Sequence, residues 1–290
     1  MFGFEDMLHN EFTELPFKIM FYVIVFLFGI CIGSFLNVVI FRLPAGESVL
    51  GFGRSKEDKE KASHCMTCGA KIRPIDLIPV FSWLMLRGKC HSCGQKISPR
   101  YPVVEFLNGF LYVLTFYVLD INVKSIITCV LMSMLIVIGF IDWDTKDIYI
   151  GMLAVILILA VPLHLFYSRE HEDVTLKSRI IGALIISVPF FIIGEVSRPI
   201  IKKKFGEDFR AIELGDTLMM FAAGAFLGTQ AVIVSTFIGI LAASVGGIIV
   251  KVATKDSKFA FGPFLAIGIA FGSLWGPQIA QWYLNLLKAE

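Results

Sequence analysis

Carboxylates beside long apolar runs and cysteines in pairs are the two features of this sequence that could do chemistry. Asp142, Asp144 and Asp147 follow directly on an apolar stretch ending at Ile141. Asp216 heads another such stretch, preceded by Glu213 and Gly215. An acid at the edge of a membrane span is costly to keep there, so its default reading is functional. Two carboxylates that face each other and share one proton can divide the work of hydrolysis. One takes a proton from water while the other gives one to the leaving group. Peptide hydrolysis by such a pair, with Asp142 and Asp216 as its members, needs no metal. Gly215 would allow close backbone approach beside Asp216, and the Ala-Ala-Gly-Ala stretch at 222–225 would let another helix pack tightly. The bland alternative is that these acids only mark the ends of spans, and spacing alone does not separate the two.

The cysteines carry a sharper signal. Cys65-Met66-Thr67-Cys68-Gly69-Ala70-Lys71-Ile72 recurs as Cys90-His91-Ser92-Cys93-Gly94-Gln95-Lys96-Ile97, a C-x2-C-x21-C-x2-C arrangement close to a zinc ribbon. Two residues between cysteines let both thiolates turn onto one ion, and the following Gly lets the backbone bend close to the sulfurs. Cys65, Cys68, Cys90 and Cys93 would complete a closed tetrahedral shell, which makes the metal structural rather than catalytic. Fewer than 60 residues build little core, so the metal would hold the loop together. Two disulfides are the structural alternative, disfavoured if the loop faces a reducing compartment. His64 and His91 adjoin the pairs and read as solvated loop residues. Cys31 and Cys129 lie in apolar runs and read as small packing residues.

The elements that must position these groups are membrane spans. Of 290 residues, 56% are hydrophobic and only 17% charged; mean hydropathy is +0.76. That excludes an ordinary soluble enzyme and a disordered chain, and a formal charge of +2 suggests no nucleic-acid partner. A span needs about 20 apolar residues. Runs at about 19–41, 103–119, 124–141, 149–167, 180–197, 217–229, 231–250 and 260–287 give about eight. The first is too long in its apolar part for a cleaved signal peptide. The 217–250 stretch is continuous and apolar, and splits near Gly228, Thr229 and Gln230; its first piece is short for a span. With the N-terminus outside, the inner loops hold 20 of the 26 Lys and Arg, which agrees with the positive-inside rule. Both acidic clusters and the cysteine loop then fall on the cytoplasmic side. Glu105 and Glu195 are further acids near span ends. The Lys202-Lys203-Lys204 run reads as an anchor facing anionic lipid.

Several of these motifs together resemble one family. Residues 33–44, GSFLNVVIFRLP, resemble the signature closing the first span of bacterial type IV prepilin peptidases, and 79–109, PVFSWLMLRGKCHSCGQKISPRYPVVEFLNG, resemble the second half of their cysteine loop and the following span. The resemblance runs over most of the chain, from about 17 to 280. It maps the family's first catalytic aspartate onto Asp142 and its Gly-x-Gly-Asp-x-Lys motif onto Glu213 to Leu218, with Asp216 as the second acid. Three positions depart from the family pattern. Ile148-Tyr149-Ile150 stands where Ile-Pro-Asp or Leu-Pro-Asp is usual, Glu213 replaces the first Gly, and Leu218 replaces the Lys. Asp144 is a minor alternative for the first acid.

The resemblance implies a GxGD-type aspartyl membrane peptidase of the bacterial inner membrane. It would cut the basic leader from prepilins and pseudopilins after a Gly, with the substrate's apolar helix lying beside the bundle. Many members also methylate the new N-terminus with S-adenosylmethionine; no Gly-rich nucleotide loop here supports that independently. The expected architecture is an all-α polytopic membrane protein with a small cytoplasmic zinc-ribbon-like insertion. It divides into 1–44, an outer segment and first helix; 45–101, the four-cysteine domain; and 102–290, the peptidase domain. Two other readings use the same residues. One is a non-catalytic zinc-containing scaffold of a pilus or secretion assembly, and the other a transporter that relays protons through Asp142 and Asp216. The sequence points to no particular prepilin and no oligomeric state.

Overall fold

The computed structural model describes residues 15–47, 49, 65, 67–167, 175–205, 210–254 and 260–288. Its helices are α1 (Leu15–Arg42), α2 (Phe81–Met85), α3 (Arg100–Leu119), α4 (Val123–Thr145), α5 (Ile150–Tyr167), α6 (Leu176–Phe205), α7 (Leu214–Leu227), α8 (Thr229–Thr254) and α9 (Gly262–Lys288). Among the described residues, α1, α3, α4, α6, α8 and α9 contain stretches long and apolar enough to cross a membrane, while α5 and α7 are shorter apolar helices. The eight apolar runs are therefore eight helices, and the fold is all-α and polytopic. The chain divides into two compact units, residues 1–117 and 118–290.

In the first unit, α1 and α3 pack so closely that a side chain would not fit at the crossing. A Cβ on Gly29 would lie 2.7 Å from the Gly109 Cα, and one on Gly33 would lie 2.7 Å from the Glu105 Cα. Small residues at such crossings are how helices associate in lipid, where apolar burial gives no net drive. Polar side chains fasten the pair: Asn108 donates to the Gly29 carbonyl at 2.7 Å, and Asn37 donates to the Tyr101 carbonyl at 3.1 Å. At one end Phe41 stacks on Tyr101 with the Arg100 guanidinium over the Phe41 ring. Glu105, buried in α3, accepts a 2.6 Å hydrogen bond from the Val80 N–H and so ties the cysteine-bearing loop to the helix pair. Cys31 is exposed on α1 while Cys129 is buried on α4, so the packing role fits only Cys129.

In the second unit the 217–250 stretch breaks at Gly228, as expected from Gly228, Thr229 and Gln230. α7 ends at Leu227, Gly228 adopts φ +82, and α8 begins at Thr229. Ser178 and Thr229 hydrogen-bond across this break, and the buried Arg179 guanidinium donates to the carbonyls of Ala225 and Phe226 at the end of α7. Those carbonyls have no helical partner left, so the arginine meets an orphaned acceptor set. The Ala-Ala-Gly-Ala stretch packs on α6: a Cβ on Gly224 would lie 2.1 Å from the Gly182 carbonyl oxygen. α7 is thus held by α6 at the end opposite Asp216. Glu195 pairs with Arg210 at 2.6 Å, a partner that the reading as a lone span-end acid does not include.

Candidate active site

Asp142 and Asp144 are two residues apart on α4, and a helix turns about 200° over two residues. Ile138 and Leu135, four and seven residues back from Asp142, are both buried. Asp142 shares their face and is only 5% exposed; Asp144 and Asp147 are exposed. Burial therefore separates the three acids that spacing left together.

Asp216 is 6% exposed and sits in the first turn of α7. Glu213 is the N-cap, which places Asp216 at the third helical position, where its carboxylate bonds back to the Glu213 backbone. This is the acid half of a capping box, and the helix N-terminus favours a negative charge there. The Asp142 carboxylate lies within electrostatic reach of Asp216. The two acids, 74 residues apart in sequence and on separate helices, are both buried, and the charge of one reaches the other. Gly215 packs tightly beside the end of α4: a Cβ there would sit 3.0 Å from the Ile148 Cβ. Ile148 belongs to the tripeptide that departs from the family pattern, and it fills the space that Gly215 leaves.

Sequence reasoning missed a third participant. The Gly262 N–H, at the start of α9, donates to the Asp142 Oδ2 at 2.9 Å. Pro263 follows in the first turn, where its missing N–H costs nothing and its fixed φ suits the helix. The Gly-Pro pair ahead of the last apolar run was the available signal. A Cβ at Gly262 would lie 2.7 Å from Asp142 Oδ2 and 2.9 Å from Cγ, so only glycine lets the amide come this near. Gly262→Ala should lower turnover roughly ten- to a hundred-fold by displacing the carboxylate, with the protein still folded. Turnover at the wild-type rate would show that the contact does not position Asp142.

The four-cysteine cluster is assembled in the first unit. Ligand sulfurs of Cys65, Cys68, Cys90 and Cys93 all lie within 4.8 Å of one another, with Cys65 and Cys93 at 3.9 Å. Four thiolates at metal–sulfur distances of about 2.3 Å form a tetrahedron with edges of about 3.8 Å, so the set fits one tetrahedral ion. The sequence repeat is also a structural repeat. Gly69 and Gly94 donate to the carbonyls of Cys65 and Cys90, and the Cys65 and Cys90 amides donate to Ala70 and Gln95. Both glycines have positive φ, +68 and +71, which a side chain would strain. Backbone hydrogen bonds from Cys68 and Thr67 hold the Cys65 thiol down to about 6, ready to bind as thiolate. Cys93, despite the lowering pull of the Gln95 backbone, is pushed up to about 11 by burial and by the neighbouring thiols. His91 is exposed outside the sulfur cluster, and His64 lies outside the described residues.

Residues 27–119 match the bacterial peptidase A24 N-terminal domain, and residues 129–248 match the type IV leader peptidase family. A relative from Aeromonas salmonicida (strain A449), named prepilin leader peptidase/N-methyltransferase, is 30% identical over 288 residues, covering 92% of this chain and 95% of its own. The chain belongs to the type IV leader peptidase family. A relative of the same name from Neisseria gonorrhoeae is 31% identical, covering 89% of this chain and 92% of its own. The type 4 prepilin-like proteins leader peptide-processing enzyme of Escherichia coli O78:H11 is 32% identical, covering 83% and 88%. No solved structure matches. As a member of this family the chain is a peptidase, a membrane-embedded hydrolase. The family model for the leader peptidase covers both Asp142 and Asp216 but stops short of Gly262.

Proposed function

We propose that this peptidase cleaves the leader of type IV prepilins or pseudopilins after a Gly at the cytoplasmic face of the inner membrane, with Asp142 and Asp216 as its catalytic pair. The observation that carries this reading is the burial of both carboxylates, with the charge of Asp142 reaching Asp216. One carboxylate accepts a proton from water as the oxygen attacks the scissile carbonyl, and the other donates a proton to the leaving amine. The Gly262 amide stabilises charge on Asp142 and fixes which oxygen faces the substrate. The substrate's apolar N-terminal helix lies beside the bundle in the bilayer, so the scissile bond reaches the surface already oriented. The N-terminus is outside and the cysteine loop inside, as the Lys and Arg distribution indicates.

The ion held by Cys65, Cys68, Cys90 and Cys93 is Zn2+. It cross-links the two knuckles and leaves no open position for a substrate. The four-cysteine domain spans 45–101, between the first helix at 1–44 and the peptidase domain at 102–290. The name shared by the Aeromonas and Neisseria relatives supports a second activity, methylation of the new N-terminal amine from S-adenosylmethionine. Mass spectrometry of a host prepilin incubated with the purified protein in liposomes checks both steps. The mature product should begin immediately after a Gly, and should gain the mass of one methyl group only when S-adenosylmethionine is added. A cut elsewhere overturns the specificity, and a product that never gains a methyl group overturns the second activity.

A further inference from the structure

The segment between the two cysteine pairs exposes a run of large apolar side chains outside any span. Ile75, Leu77, Ile78, Phe81, Leu84 and Met85 are all exposed, Met85 at 80%. They lie on a 3-10 turn, Pro74–Leu77, and the short helix α2. Side chains of this size clustered at a surface mark a contact with another apolar phase.

The structure also gives the depth of this segment. Val80, at its centre, donates its N–H to the Glu105 carboxylate. Glu105 is five residues into α3, which places it about 7.5 Å from the Arg100 end at 1.5 Å per residue. It also packs against Gly33, nine residues from the Arg42 end of α1 and so about 13 Å inside it. Arg42 and Arg100 mark the charged end of this helix pair, and Val80 is pinned below that end, alongside two helices that cross the bilayer. Val80 has φ +62 and ψ −54, and the Phe81 N–H bonds back to the Pro79 carbonyl. That is a positive-φ γ-turn, a rare and strained conformation, more so for a β-branched residue. The buried hydrogen bond to Glu105 holds it there.

The charge around the segment points the same way. Between residues 65 and 100 stand six Lys and Arg and a single acid, Asp76. Asp76 is itself paired with Arg73 at 2.8 Å. Lys71, Arg87, Lys89 and Lys96 are exposed and uncompensated by any acid in this stretch.

We propose that residues 74–85 form a monotopic foot of the cysteine loop, resting in the headgroup–acyl boundary of the leaflet at the Arg42 and Arg100 end and selecting anionic lipid. Its apolar side chains enter the boundary layer, which is about 5–10 Å deep for such elements. The surrounding cations meet lipid phosphates. The Glu105–Val80 bond sets its depth, and the trapped γ-turn aims α2 along the surface.

The test uses full-length protein in nanodiscs of phosphatidylethanolamine and phosphatidylglycerol. The photoreactive residue benzoylphenylalanine is placed at Leu84, at Met85, or at Gln95 on the second knuckle as a control. All three positions are exposed, so packing is undisturbed, and each variant should elute as the wild type does. Irradiation followed by mass spectrometry should give lipid adducts at 84 and 85 several-fold above those at 95, with phosphatidylglycerol enriched over its mole fraction. Adducts only to a second copy of the chain, or to an added prepilin, overturn the lipid assignment. So does labelling at 84 and 85 no greater than at 95. Lipid adducts in proportion to mole fraction overturn the anionic preference. As a second measurement on an unsubstituted foot, Glu105→Ala should lower proteolytic protection of residues 74–85 in nanodiscs but not in detergent. Equal protection in both overturns the depth-setting role.

Discussion

Asp142→Asn and Asp216→Asn should each lower leader cleavage by at least about a thousand-fold, with expression and helicity unchanged. Asn keeps the size of the carboxylate and can still accept from the Gly262 amide or the Glu213 backbone. What it removes is the capacity to take up and release a proton, which the proposed reaction needs at both positions. Because the two groups act as a unit, the double variant should be no worse than the poorer single variant. Asp144→Asn, altering an exposed side chain on the opposite face of α4, should leave the rate within about two-fold. Quantitative immunoblotting of prepilin and mature pilin in membranes checks all four proteins together. Cleavage retained in either buried-acid variant would remove that residue from the pair.

Cys65→Ser or Cys90→Ser should bring metal content from one ion per chain to below about a tenth of that. Both residues also anchor the backbone turns of their knuckles, so the effect extends to the fold of the loop. Structural zinc contributes about 10–16 kcal/mol to such small modules, far more than a loop with little core can replace. Limited proteolysis should then cut within 65–98, where the metal-loaded wild type is protected. Elemental analysis of reduced, purified protein reads the metal, and peptide mapping reads the cuts. Serine variants that keep stoichiometric metal and protection would show that the sulfurs lie near one another for another reason. The transporter and scaffold readings predict no effect of the aspartate substitutions on a leader peptide, so the cleavage experiment separates both from the peptidase.

Much of this was legible in the chain. Hydropathy located the eight apolar helices, and the polar interruption at Gly228, Thr229 and Gln230 located the break between α7 and α8. The cysteine spacing anticipated a cluster that the backbone repeats turn for turn. Less visible were the contacts that cross long stretches of sequence. The Gly-Pro pair at 262–263 marks only a helix start; that its amide meets Asp142 depends on how α9 packs on α4. The Glu105 carboxylate read as a span-end acid, yet its partner is the amide of a strained Val80, a conformation that no propensity would assign to valine. The motif left Asp142 and Asp144 together, while the helix period through Leu135 and Ile138 puts only Asp142 on the buried face of α4. Cys31 misled for the opposite reason: in lipid, an exposed position on a span is as apolar as a buried one, so composition does not separate them.

The central claim is that water, activated between two carboxylates, cleaves the leader with no covalent intermediate. The direct measurement is cleavage of a prepilin by the reconstituted wild-type protein in water enriched in oxygen-18, with hydroxylamine present. The account predicts that the released leader ends in a carboxylate carrying the heavy oxygen, and that no leader hydroxamate forms. A leader hydroxamate would reveal an acyl-enzyme on a serine or cysteine, and would contradict the role assigned to Asp142 and Asp216.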